Sequence, residues 1–261
     1  MCRFLAYQGE PILLDTLVAA PCRSLIHQSL HATEAKTETN GDGFGVGWYG
    51  ERETPGLYRE VRPAWSDENL RSIAGQVRSH LFFAHVRAAT GTATSRANCH
   101  PFAHGRFLFM HNGQIGGWPA VRRRVEAMIP DDLYAARAGT TDSEAIFLAA
   151  LARGLDRDPV GAFASVLRDV KTQMRAVGVD EPLRFTATLT DGRTVWAFRW
   201  SCDARPPSLY YRAGPAGLLL VSEPIDDDRL CWNEVPRGAT LVAEPGRALR
   251  VEQREAMALA T

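Results

Sequence analysis

The sequence predicts an α+β fold of two antiparallel sheets with helices on their outer faces, and three observations carry that expectation. Strand-like segments run from Arg3 to His111, helical segments lie between Ile115 and Val177, and strands return from Leu183 onward. Such segregation of elements builds separate layers. The Asp191-Gly192 pair between two strand-like runs is a hairpin-turn signal, as antiparallel pairing requires. The middle helical segment is apolar almost all round, which marks a buried helix.

The elements follow in order. Arg3 to Gln8 reads as a short strand, and Asp42 to Gly50 and Tyr58 to Pro63 as two more. Asp67 to Val77 has helical spacing, whereas His80 to Ala88 and Arg106 to His111 read as core strands. The first of the three later helices spans Ile115 to Met128. The second begins near Thr141, where Thr141 and Glu144 have capping-box spacing. The third covers Pro159 to Val177, with Asp158 at the N-cap, Pro159 at the first helical position and Gly178 past the end. Its apolar residues Val160, Phe163, Leu167, Val170 and Met174 keep a helical period. The closing strands are Leu183 to Leu189, Thr194 to Trp200, Ser208 to Tyr211, Leu218 to Ser222, Thr240 to Val242 and Leu249 to Glu252. No repeat or linker interrupts them, and 261 residues at 45% hydrophobic content suffice for one core, so residues 1–261 are expected to form a single domain.

Thirty basic and thirty acidic side chains cancel. Without a clustered positive face, nucleic acid is excluded as a partner. No apolar run approaches the roughly 20 residues that span a bilayer. Gln8 and Glu10 break any signal-peptide core, and Cys2 stands where myristoylation needs Gly. A cytoplasmic protein without membrane partners is expected. The cysteines Cys2, Cys22, Cys99, Cys202 and Cys231 form no C-x-x-C pair, and the last four are expected as reduced, buried small hydrophobes.

Several residues can carry chemistry, each with a plainer alternative. Methionine aminopeptidase removes Met1 when the second residue is small. Cys2 would then bear a free α-amine with a pKa near 8, a base attached to its own nucleophile; otherwise it is an ordinary cysteine. His85 and Arg87 alternate on a strand and share a face. Arg87 can hold a carboxylate through two parallel hydrogen bonds or simply reach out of a sheet edge. In His111-Asn112-Gly113 the Asn112 amide and the Gly113 N–H can point at one oxygen, as an oxyanion hole requires; Asn-Gly is equally a tight-turn dipeptide. Asp142 either complements a helix dipole or binds a substrate ammonium. Gly41, Gly43, Gly45 and Gly47 fall on one strand face that permits close approach, and the run does not match a dinucleotide-binding pattern. His100 and His104 beside Cys99, and His27 with His31, lack the partners of a metal site, so no metal and no cofactor are expected.

In this order, Cys2, Gly-rich Asp42, Ala84-His85-x-Arg87-x-x-Thr90, His100-Pro101, His111-Asn112-Gly113 and Thr141-Asp142-Ser143-Glu144 resemble the class II glutamine amidotransferases. The segment Val221-Ser222-Glu223-Pro224 through Trp232 and Pro236-Gly238 is similar to the final strands of that domain. The resemblance implies a four-layer αββα sandwich and an enzyme with an N-terminal cysteine nucleophile. It assigns Cys2 as nucleophile, Asn112 and Gly113 as the oxyanion hole, Arg87 and Asp142 as the carboxylate and ammonium clamps, and His100 as support for the substrate-binding loops. It implies release of glutamate and ammonia from glutamine through a γ-glutamyl thioester.

Two departures qualify this. Arg3-Phe4 follows the nucleophile where many relatives have Gly-Ile, and Ala88 stands where many have an aromatic residue. The Cys-Arg-x-Leu start is closer to small stand-alone members, among them hydrolases of a γ-glutamyl ergothioneine precursor. With no room for a synthase domain, ammonia would pass to a separate synthase partner, a small molecule or water. The alternative expectation is a γ-glutamyl hydrolase acting on a conjugate; a third is an inactive binding module.

Overall fold

The computed structural model describes residues 2–34, 38–89, 91 and 93–253; Met1 and the Thr90 of the arginine motif lie outside them. Before the helical region come β1 (Arg3–Leu13), β2 (Phe44–Trp48), β3 (Gly56–Glu60), β4 (Arg78–Val86), β5 (Phe102–His104) and β6 (Phe107–Gln114). After it come β7 (Arg184–Thr190), β8 (Val195–Ser201), β9 (Tyr210–Gly214), β10 (Gly217–Val221), β11 (Asn233–Glu234), β12 (Ala239–Ala243) and β13 (Arg250–Gln253). The helices are α1 (Asp15–Val18), α2 (Leu25–Leu30), α3 (Glu68–Ala74), α4 (Trp118–Glu126), α5 (Asp131–Tyr134), α6 (Asp142–Leu151) and α7 (Pro159–Ala176).

Two sheets form, ordered β11-β9-β10-β1-β4-β2-β3 and β13-β12-β8-β7-β6-β5, with every strand pair antiparallel. Side-chain parity divides the interior into three cores. Phe4, Ala6, Leu81, Phe83, Leu108 and Met110 meet between the sheets. Leu5, Tyr7, Phe82 and Ala84 face the other way, packing with Leu25, Ile26 and Leu70 of α2 and α3. Phe109, Phe185 and Phe198 pack against Phe147 of α6 and Phe163 of α7. The result is the four-layer αββα sandwich.

Local chemistry explains the boundaries. β1 continues past Gln8 through an irregularity between Gln8 and Ile12, a feature that breaks simple alternation. α4 starts at Trp118 rather than Ile115, because Gly117 turns the chain at φ 58°. Half of the predicted capping box forms: Thr141 Oγ1 accepts from the Glu144 N–H at 3.2 Å. The Glu144 carboxylate instead accepts from Ala138 and Gly139, at 2.9 and 2.7 Å. α1, α2 and α5, with four, six and four residues, and β5 and β11, with three and two, are too short for a readable period. The cysteine expectation needs correction. Cys99 is buried and Cys202 is half-buried against the core of α6 and α7, but Cys22 and Cys231 are exposed, on surface segments that none of the three cores reaches.

Candidate active site

The site lies at one end of the inter-sheet layer. Cys2 and Arg87 each sit one residue beyond the last ladder pair of β1 and β4, Arg3 with Val86. The Ala88 N–H donates to Cys2 Sγ at 3.5 Å, and the thiol donates to Ala88 O at 3.6 Å. The arginine turn is held by the glycine-rich segment. Arg87 N–H donates to Gly43 O at 2.8 Å, and Asp42 N–H to Arg87 O at 3.0 Å. The Asp42 carboxylate accepts from Ala89 N–H at 2.7 Å. The Arg87 guanidinium donates to Asp42 O at 3.3 Å and Ala93 O at 3.2 Å, and its side chain lines the cavity described below.

Of the four alternating glycines only Gly45 and Gly47 lie in β2; Gly41 and Gly43 precede it, Gly43 at φ 111°. A Cβ on Gly45 would lie 2.2 Å from His100 O, and one on Gly47 would lie 2.9 Å from both Pro101 and Leu108. The missing side chains let the His100-Pro101 segment lie against β2 and bring His100 to the site.

The opposite wall comes from the second sheet and α6. His111-Asn112-Gly113 is not a turn: it runs within β6, in register with Ala187, Thr186 and Phe185 of β7. Neighbouring strand pairing overrides the Asn-Gly turn preference. Asn112 follows Leu108 and Met110 in alternation, so its buried side chain enters the inter-sheet layer, where Nδ2 has no hydrogen-bond partner among the described residues. A Cβ on Gly113 would meet Arg184 O at 2.1 Å and His111 Nε2 at 2.4 Å, so only glycine fits. His111 donates from Nε2 to Arg184 O at 3.1 Å, which leaves Nδ1 to accept from Ser143 Oγ at 2.8 Å. Asp142 accepts from Ile115 N–H and Ser143 N–H, both at 2.8 Å, which ties the start of α6 to the end of β6.

Cys2, Arg87, His100, Gly113 and Asp142 thus line one cavity of about 340 Å³. Asn112 is not part of its lining; it precedes Gly113 on β6. Trp118, Ser143 and Glu181 also line the cavity, although sequence reasoning assigned them no role. Ser143 lay inside a motif already singled out, whereas nothing around Glu181 marked it.

Burial governs the electrostatics. It pushes the Cys2 thiol up, against the Ala88 N–H and the positive charges of Arg87 and Arg3. It drives His85 down to about 3, helped by Arg87, and His100 well below the ordinary histidine range. It lowers His111 too, with the Asp142 carboxylate opposing. The imidazoles are therefore neutral at pH 7, and Arg87, Asp142 and Glu181 supply the cation and the carboxylates of the cavity wall. Among the described residues no group of three or more His, Cys, Asp and Glu could hold a metal ion.

The chain belongs to the class II glutamine amidotransferases: the family description matches residues 1–217. It is an enzyme of that class. It is 32% identical to the probable glutamine amidotransferase DUG3 of Saccharomyces cerevisiae, over 92% of this chain and 81% of that one. It is 29% identical to the gamma-glutamyl-hercynylcysteine sulfoxide hydrolase of Mycolicibacterium smegmatis, over 90% and 92% of the two chains. Among solved structures, a glutamine aminotransferase class-II domain protein from Silicibacter pomeroyi superposes with a TM-score of 0.77 at 39% identity, covering 97% of this chain and 99% of that one.

Proposed function

We propose that this protein hydrolyses the side-chain amide of glutamine through a γ-glutamyl thioester on Cys2, releasing glutamate and ammonia. The observation that carries the reading is the single cavity shared by Cys2, Arg87, Gly113 and Asp142. At about 340 Å³ it sits at the lower end of small-molecule pockets, a size suited to a glutamyl group.

In this reading the α-amine exposed by loss of Met1 takes the Cys2 thiol proton, and the thiolate attacks the γ-carbonyl carbon. Arg87 and Asp142 grip the substrate's carboxylate and ammonium, which fixes the carbonyl position. The tetrahedral oxyanion accepts from Asn112 Nδ2 and the Gly113 N–H. Collapse breaks the C–N bond, the α-ammonium returns its proton to the departing nitrogen, and ammonia leaves. Water then adds to the thioester, passes through a second oxyanion and frees glutamate and the thiol. His100 supports the arginine side of the pocket. Ammonia passes to water or to a synthase partner.

The likeness to the mycobacterial hydrolase favours a second reading, in which the scissile nitrogen belongs to a γ-glutamyl conjugate. The clamp reads only the glutamyl end and serves both. Glutamate release is measured from glutamine and a panel of γ-glutamyl amides, each beside Cys2→Ala. Cys2-dependent turnover led by glutamine supports the first reading, and turnover led by a conjugate supports the second. Turnover that survives Cys2→Ala contradicts both.

A further inference from the structure

Arg3, the residue by which this chain departs from the Gly-Ile start of many relatives, is fully buried, and the reaction described above gives it no task. By strand alternation its side chain leaves β1 on the face opposite to Phe4 and to Cys2. There it meets two separate segments. Nη1 donates to Ser222 O at 3.1 Å and Nη2 to Glu34 O at 2.9 Å. Nη1 also lies 3.8 Å from the Glu223 carboxylate, which is buried to the same degree. Glu223 in turn accepts from Thr33 N–H at 3.1 Å, Thr33 Oγ1 at 2.6 Å and Glu34 N–H at 3.0 Å. Ser222 closes the assembly: its Oγ accepts from Phe4 N–H at 2.9 Å, and its own N–H donates to Phe4 O at 3.0 Å.

This is a costly way to secure a strand end. A buried ion pair contributes little net stability over apolar residues of the same volume, because both charges are desolvated, and its attested use is to fix geometry. A geometric need exists here. Cys2 lies outside the β1–β4 ladder, and its side-chain hydrogen bonds among the described residues are the two weak sulfur bonds to Ala88. Once Met1 is removed, Cys2 is a chain terminus, and termini fray unless tied down.

We infer that the buried Arg3–Glu223 pair is a positioning device that clamps the residue next to the nucleophile to residues 33–34 and 222–223, holding Cys2 in line with the glutamyl clamp. The inference rests on the reading of Cys2 as nucleophile. Arg3 and Glu223 touch no substrate; they act through the backbone of Cys2. Misplacement of a reacting atom by about 1 Å can cost on the order of a hundredfold in rate, whereas Arg87 and Asp142 still bind substrate.

The test is the double variant Arg3→Met/Glu223→Gln, which removes both charges together and leaves no carboxylate stranded in the interior. Turnover is measured with the best substrate of the panel, and alkylation of each cysteine by iodoacetamide is followed by peptide mass spectrometry. Buried Cys99 serves as an internal control for general loosening. The inference predicts a folded protein whose kcat falls about tenfold or more with KM within about threefold, and whose Cys2 is alkylated several times faster while Cys99 is unchanged. A kcat within about twofold of the parent, an unchanged Cys2 rate, or Cys2 and Cys99 accelerating together overturns it. A parent protein without Cys2-dependent turnover on any substrate would remove the nucleophile reading instead, and the Cys2-to-Cys99 alkylation ratio would still report on the clamp.

Discussion

His85 and His100 lie ring against ring, with centroids 4.3 Å apart, and none of their four ring nitrogens has a hydrogen-bond partner among the described residues. Both are buried, beside Arg87 and His111. Neutral imidazoles tolerate that setting and a charged one does not. His85 is held down to about 3 and His100 well below its ordinary range, so the unfolded chain binds these protons at higher pH than the folded one. The associated stability is present in full above an unfolded pKa of about 6.5 and is lost as pH falls below it. Urea unfolding should show His85 alone removing about 2–3 kcal/mol between pH 6.5 and 4.5. His85→Phe should remove that share of the slope and leave the His100 share, and an unchanged slope would contradict the neutral assignment.

Arg87→Lys should raise KM about tenfold or more, since a point charge cannot make the planar two-bond contact or keep both carbonyl anchors at Asp42 and Ala93. Steady-state kinetics decide the matter. A variant with the parent KM would remove Arg87 from the carboxylate role.

Asn112→Ala should lower kcat by roughly a hundred- to a thousandfold with KM nearly unchanged, the pattern of a donor needed only when the oxyanion forms. Among the described residues its Nδ2 makes no ground-state bond whose loss would destabilise the fold. A small effect on kcat would leave Gly113 as the sole donor.

Gly45→Ala places a methyl 2.2 Å from His100 O, so either β2 or the His100-Pro101 segment must move. A loss of about 1–3 kcal/mol is expected, together with reduced turnover. Gly50→Ala is the control, because nothing lies within 4 Å of its Cβ. Equal melting temperatures for the two variants would refute the close-approach account.

Much of the fold was legible because its larger elements carry strong periods. α7 begins at Pro159 as the Asp158-Pro159 signal indicates, and the Asp158 side chain accepts from Gly161 N–H. Alternation along β4 puts His85 on the face of Leu81 and Phe83, whereas Arg87 lies one residue past the strand. What stayed hidden depends on contacts distant in sequence. Asn112-Gly113 has a turn's composition but a strand's conformation, because β7 pairs with it from some seventy residues away, Asn112 to Thr186. The partner of Arg3 lies 220 residues along at Glu223, and no local pattern joins them. Glu181 reaches the cavity because Gly116 and Gly117 leave space beside it.

The most direct test of the central claim is the mass of the N-terminal peptide from enzyme acid-quenched during turnover. The account predicts a peptide that begins at Cys2, lacks Met1 and carries a γ-glutamyl group on sulfur, with the adduct absent from quenched Asn112→Ala at equal times. Glutamate release by a protein that retains Met1, with Cys2 never modified, would contradict it.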